Sequence, residues 1–288
     1  MKNTKIGLIA VSALFLIFSI SCNTEKKEKE KTPPQNQVEE VKIEISYDTN
    51  TPKSIIKAIE AASGGWGKLW KQKDVEFNYN YLQADGTADK SIERYVFHTE
   101  QSWGKYTQHD INVMPGTDGE VIQYYDGENA HISQNGTKIE DPTAIGSTQF
   151  LRKANYFWFV MMYKLDNPGV LYEYNGSENV NGTDYDKVTV TYDPEVTKKE
   201  QNDIYVLYVN KETKMVDQFY FSLPAFGFND PVLLMKVNYE EVNGLMIPAK
   251  RDIFFPGEDG SYGDQPAIQE ISTNIKFNNG FTEADLSI

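Results

Sequence analysis

Nine Asp-Gly or Asn-Gly pairs punctuate the chain, at 85–86, 118–119, 126–127, 135–136, 175–176, 181–182, 243–244, 259–260 and 279–280. These dipeptides tolerate the positive φ angles of tight hairpin turns. Here they separate short runs rich in Val, Ile, Tyr, Phe and Thr. From Val75 to Tyr81 the odd positions are apolar and the even ones polar, and Lys187 to Tyr192 alternates in the same way. A period of two means one buried face and one wet face, as in an antiparallel sheet. From Lys73 onward the pattern predicts about ten to twelve strands. No fixed repeat period is present, which argues against propellers and solenoids.

Two stretches depart from this pattern. Thr51-Pro52 opens a helix, with Thr as N-cap and Pro at the first helical position. Ile55, Ile56, Ile59 and Ala62 recur on one face, and Gly64-Gly65 ends the run. Trp66, Leu69 and Trp70 follow at once and are expected to dock the helix on the sheet. The second stretch, residues 142–169, lacks paired turn signals and holds an unbroken apolar and aromatic run from Tyr156 to Tyr163, closed by Asp166-Asn167-Pro168-Gly169. Periodicity alone leaves strand and helix open for such a run; the flanking Thr148–Ala154 favours helix. A helix apolar all round must be enclosed, or must cover an apolar hollow.

The N-terminus speaks to location. Lys2 and Lys5 precede an uncharged apolar segment over 6–20, too short for a core of ~30 Å but suited to a secretion signal. Ser19-Ile20-Ser21-Cys22 resembles the lipobox of bacterial lipoproteins. That resemblance implies cleavage before Cys22 and acylation of its thiol and of the new N-terminus; a free cysteine in an uncleaved anchor is the alternative. Several acyl chains at ~0.8 kcal/mol per buried CH₂ make such attachment effectively permanent. Cys22 is the only cysteine, so neither a disulfide nor a thiolate metal site is available. Residues 23–40 hold one apolar side chain and a Lys-Glu run, and read as a disordered tether. Loss of Lys2 and Lys5 with the leader would take the net charge from −14 to −16, which argues against nucleic acid or an anionic headgroup layer as partner. The chain thus divides into a leader (1–21), a lipidated cysteine and tether (22–50) and one β domain (51–288).

A helix, a long antiparallel meander and an apolar helical insertion midway resemble LolA and LolB, bacterial carriers of lipoproteins. The local phrases are similar to those of LolA/LolB-like lipoproteins of unknown function from Bacteroidetes: Asn155-Tyr156-Phe157 through Gly169, Tyr185–Thr191, Tyr205–Thr213 and Tyr239–Pro248. The resemblance implies a mainly β fold, a curved antiparallel half-barrel with its N-terminal helix and helical insertion covering the concave face. It also implies a cavity for acyl chains; an outer-membrane location and no enzymatic activity are expected on other grounds, from Asn23 and from the lack of catalytic motifs. Phe157, Trp158, Val160, Met161, Met162 and Trp66 are the candidates for lining or closing that cavity. Methionine suits the role because it is flexible and polarizable. LolA holds its cargo through a cavity arginine, and Arg94 is the candidate for it here by chain region alone. Asn23 after the cysteine agrees with passage to the outer membrane.

Other chemistry has weaker signals. His98, His109 and His131 show no zinc-type spacing. Asp184 and Asp186, Glu240 and Glu241, and Glu258, Asp259 and Asp264 are acidic groups without a calcium-loop pattern. No nucleophile elbow or phosphate loop is present, so neither cofactor nor metal is expected. Three functions follow: a lipid-anchored carrier or sensor of an acyl lipid or lipoprotein, an envelope scaffold binding a protein partner through its outer faces, and a hydrolase using paired carboxylates. The first is favoured.

Overall fold

The computed structural model describes residues 45–199 and 201–288; the leader, Cys22 and most of the tether lie outside them. The first meander contains β1 (Asp74–Gln83), β2 (Ala88–Val96), β3 (Gln101–His109), β4 (Val121–Tyr125), β5 (Ala130–Gln134) and the two-residue β6 (Thr137–Lys138). The second contains β7 (Val170–Val180), β8 (Thr183–Tyr192), β9 (Tyr205–Asn210), β10 (Val216–Leu223), β11 (Phe228–Val242), β12 (Leu245–Phe254) and β13 (Ile268–Phe277). Both run up and down, and β1 pairs with β13 to join them into one antiparallel sheet of order 6-5-4-3-2-1-13-12-11-10-9-8-7. The two edge strands, β6 and β7, do not meet, so this is an open sheet and not a closed barrel.

That order explains the helical insertion. The chain leaves one edge at β6 and must reach the opposite edge at β7, and α3 (Pro142–Val160) carries it there. Laid flat, thirteen strands would span ~58 Å at ~4.8 Å per step. A helix of 19 residues covers only ~28 Å. The sheet makes up the difference by curling around the helix. Register shifts at Glu76/Asn78, Lys90/Ser91, Phe221/Leu223 and Asn238/Tyr239 help, because bulges bend strands.

α1 (Pro52–Ala62) and the short α2 (Trp66–Leu69) cover the other part of the concave side. Ile55, Ile56 and Ile59 are buried as the periodicity predicts, and they share one apolar cluster with Phe159–Met162, Val75, Phe77, Val188 and Leu207. The convex side carries a smaller cluster of Val96, Trp103, Tyr124 and Leu286.

Several local expectations change. Thr51 occupies the N-cap position but its side chain caps nothing; Asp141, by contrast, caps α3 by accepting from the Ala144 amide at 2.9 Å. Asn175-Gly176 makes no hairpin. It lies inside β7 at the register shift between Tyr174 and Ser177, where Asn175 Oδ1 accepts from the Thr189 amide and hydroxyl. A glycine that reads as a turn signal here marks a bulge. Pro248 also sits at a bulge, since Asn238 pairs Lys250 while Tyr239 pairs Pro248. β12 lies between β11 and β13, so the proline bends an interior strand.

Candidate functional site

The candidate residues of the apolar run form the cover of the concave face. Val160, Met161 and Met162 are 0–2% exposed, the two methionines in the 3₁₀ turn Met161–Tyr163 that continues α3. Phe157 and Trp158 are half-buried at the side facing β9 and β10, where Trp158 stacks on Phe219 at 6.1 Å and meets Phe221 edge-on at 5.3 Å. On the other side Phe159 stacks on Phe77 of β1 at 4.9 Å. Consecutive residues of one helix thus grip both halves of the sheet. Trp66 is buried in the same cluster, beside α1, and Lys57 Nζ lies 5.6 Å from its ring.

The seat of α3 is apolar at its C-terminal end and polar near its middle. Arg152, fully buried, donates from Nη1 to Glu93 Oε2 at 2.6 Å and from Nη2 to Oε1 at 3.3 Å, and it also donates to the Tyr106 hydroxyl. Burial alone would lower the guanidinium pKa, but Glu93 and the surrounding phenols outweigh it and the group is held charged. A second arginine, Arg251 on β12, pairs with Glu270 at 2.6 Å and donates from Nη1 to the Trp158 carbonyl at 3.3 Å, close to the end of α3. Neither arginine was singled out from sequence. The one that was, Arg94, points to the convex face, pairs with Glu76 at 2.9 Å and lies against Trp103 and Phe281. The alternation of β2 decides this: Ser91, Glu93 and Tyr95 face α3, so Arg94 cannot.

A void of about 30 Å³ lies among Tyr79, Tyr81, Asp89, Tyr106, Asn112 and Asn155, room for one water and not for an acyl chain. Burial pushes the Asp89 carboxyl up although the amides of Ile111 and Asn112 donate to it, and burial raises the Tyr81 phenol to about 12. At the end of the sheet where β7 and β11 begin, Phe150 of α3 and Phe226 of the β10–β11 connection are 42% and 61% exposed and face each other at 5.4 Å.

At the opposite end the chain enters the domain. Tyr47 donates to Asp186 Oδ2 at 2.6 Å, Tyr174 and Ser177 donate to Oδ1 at 2.8 and 2.7 Å, and Lys211 Nζ lies at 3.3 Å. Burial alone would raise the Asp186 carboxyl; these donors together outweigh it and hold the group below its usual value. A carboxylate depressed in the folded state stabilises above its unfolded pKa of ~3.9 and loses that contribution as pH falls through the folded value. Urea midpoints are therefore expected to fall between about pH 6 and about pH 3, and Tyr47→Phe should make that fall shallower. An identical acid profile in the variant would remove Tyr47 from the cluster.

The remaining polar candidates lie apart. His98 is exposed in the β2–β3 turn, His109 contacts the Gly119 carbonyl at 2.9 Å, and His131 lies 3.2 Å from Asp126. Among the described residues no group of three or more His, Cys, Asp or Glu is placed to hold a metal ion. No helix among them is long and apolar enough to cross a membrane.

Comparison with known proteins adds the following. No curated protein matches the chain. Residues 111–228 match the model of a family of unknown function (DUF6503), a span from the β3–β4 connection through α3 to the start of β11. Among solved structures, a domain described as outer membrane lipoprotein-sorting from Vibrio parahaemolyticus is similar at 10% identity, with 83% of this chain and 97% of that one covered and a TM-score of 0.49. A DUF1329 family protein from Desulfovibrio piger is similar at 13% identity over 81% and 97%, with a TM-score of 0.48. A LolA superfamily protein from Nitrosomonas europaea is similar at 11% identity over 83% and 98%, with a TM-score of 0.47.

Proposed function

We propose that the chain is a lipid-anchored envelope lipoprotein, held by an acylated Cys22, that takes up an acyl chain of a lipid or lipoprotein between the concave sheet and α3. One observation carries this reading: the apolar cluster of the concave side runs across both halves of the sheet, and the helix that crosses it, α3, has half-buried aromatics at its margin. Phe157 and Trp158 pack on Tyr205, Phe219 and Phe221, so a ligand that enters on that side must displace them and α3 acts as a lid. The exposed pair Phe150 and Phe226 lies where a chain would enter.

Native mass spectrometry with lipid extraction on protein beginning near Val41 tests the reading, and a near-stoichiometric acyl lipid is expected. Trp158→Ala removes the contacts that hold the lid to β10 and is expected to strengthen uptake of a fluorescent fatty acid by roughly tenfold, about 1.4 kcal/mol, with the far-ultraviolet dichroism unchanged. Unaltered uptake would sink the lid. The packing of Phe157 and Trp158 on the sheet supports a second reading, an envelope scaffold that binds a protein partner; protein still empty after incubation with envelope lipids selects it.

A further inference from the structure

The sheet has two edges, and only one of them is guarded. Long flat edges invite pairing with other chains, and natural proteins blunt them with short strands, lysine, proline or bulges. β6 is two residues long and ends in Lys138. β7 runs for eleven residues without Lys or Pro, and its one bulge, at Asn175-Gly176, leaves Val170–Tyr174 regular against β8. Among the described residues no backbone group pairs with the outer edge of 171–174. α1 packs on the concave side of β7, which leaves the convex side open with Leu171 47% exposed and Glu173 and Asn175 exposed. Val196, 56% exposed, reaches over Gly169 at the start of the strand, where a Cβ would lie 2.9 Å from it. The segment Val-Leu-Tyr-Glu-Tyr is high in β propensity and carries one charge. Glu173 has no ion-pair partner among the described residues, whereas Glu178 beyond the bulge is taken by Lys187 at 2.9 Å.

We propose that the outer edge of β7 is a docking site for an extended segment of a partner protein, which adds as a further strand and places an apolar residue beside Leu171 and Val196 and a Lys or Arg beside Glu173. Backbone pairing would supply affinity, and the alternating side chains specificity. A second copy of this chain is the poorer occupant. A two-fold pairing centred on Tyr172 sets Leu171 against Glu173 twice, one centred on Glu173 sets like charges opposite, and each chain carries a net charge of −14. The proposal stands whether the concave face takes an acyl chain or stays filled.

The full chain in mild detergent is titrated with a capped Thr-Val-Lys-Thr-Val-Thr peptide, with amide hydrogen exchange as the readout. Protection is expected at 171–174 and not beneath α3, which separates this site from the lid. The same peptide with alternate amides N-methylated keeps its charge but cannot pair, and should not protect β7. Leu171→Lys and Glu173→Lys change exposed side chains, so the fold is retained; Glu173→Lys should weaken binding roughly tenfold by turning a cross-strand attraction into repulsion. Equal binding of the N-methylated peptide, protection elsewhere, or indifference to Glu173→Lys overturns the proposal. So does a concentration-dependent dimer that Leu171→Lys abolishes, because the edge would then belong to a second copy.

Discussion

Replacing Arg152 with methionine is expected to cost about 3–5 kcal/mol of stability, the range for breaking a buried ion pair from one side. Both side chains of the Arg152–Glu93 pair are fully buried. Without the guanidinium, Glu93 would keep only the hydroxyls of Ser91 at 2.6 Å and Tyr95 at 3.2 Å against its full desolvation. The sheet is shaped for the pair: Glu93 stands opposite Gly104 on β3, and a Cβ at Gly104 would lie 2.3 Å from Arg152 Nη1 and 2.8 Å from Glu93 Oε1. Adding Glu93→Gln to Arg152→Met removes the stranded charge while keeping an acceptor for Ser91 and Tyr95. The double variant should recover more than half of the loss, and denaturant unfolding of all four members of the cycle gives the coupling directly. A single-variant cost below about 1 kcal/mol, the level of an exposed pair, would mean that water reaches Glu93 and that α3 is not seated on it.

The same residue shows what the sequence made legible. Strand alternation in Val75–Tyr81 and Lys187–Tyr192 and α1 with its isoleucine face follow from local periodicity, helix for the apolar insertion follows from its flank Thr148–Ala154, and all are present. Glu93 and Arg152 are 59 residues apart, so no local pattern joins the pair. A usable signal did exist: Thr148, Arg152, Tyr156 and Phe159 fall at helical spacing on one stripe, so the burial of Tyr156 and Phe159 implicates Arg152. Arg94 was chosen by region, and the period of two that exposes one strand face sends it the other way. The hollow expected beneath the insertion rests on an apolar helix, and apolar side chains can line a concavity or fill it. Side-chain volume against sheet curvature decides between these outcomes, and curvature is set by bulges such as Phe221/Leu223 that no local pattern announces.

Gly64→Ala should destabilise by roughly 3 kcal/mol, well beyond its neighbour Gly65→Ala, because two costs coincide at Gly64 and only one at Gly65. Both glycines have φ near +90°, which costs an L-residue about 1–2 kcal/mol. At Gly65 a Cβ meets nothing within 4 Å, whereas at Gly64 it would lie 2.1 Å from the Gly244 carbonyl oxygen. That oxygen belongs to the Asn243-Gly244 turn of the β11–β12 hairpin and accepts from Lys68 Nζ at 3.2 Å. A backbone atom in a tight turn cannot swing aside, so overpacking adds about 1–3 kcal/mol. The contact is central to the concave assembly. The Met246 amide donates to the Ser63 carbonyl at 3.1 Å, and the Tyr163 hydroxyl sits between the carbonyls of Ser63 and Met246 at 3.3 and 2.7 Å. The end of α1, the hairpin turn and the end of the α3 cover are therefore clamped at one point. Denaturant midpoints of the two alanine variants measure the clamp by difference, since the φ cost cancels between them. Equal midpoints would mean that the hairpin yields and that α1 is not held at this point. A gap of about 1 kcal/mol or more in the overpacking range would fix α1 and the hairpin as the static wall that the proposed opening of α3 requires.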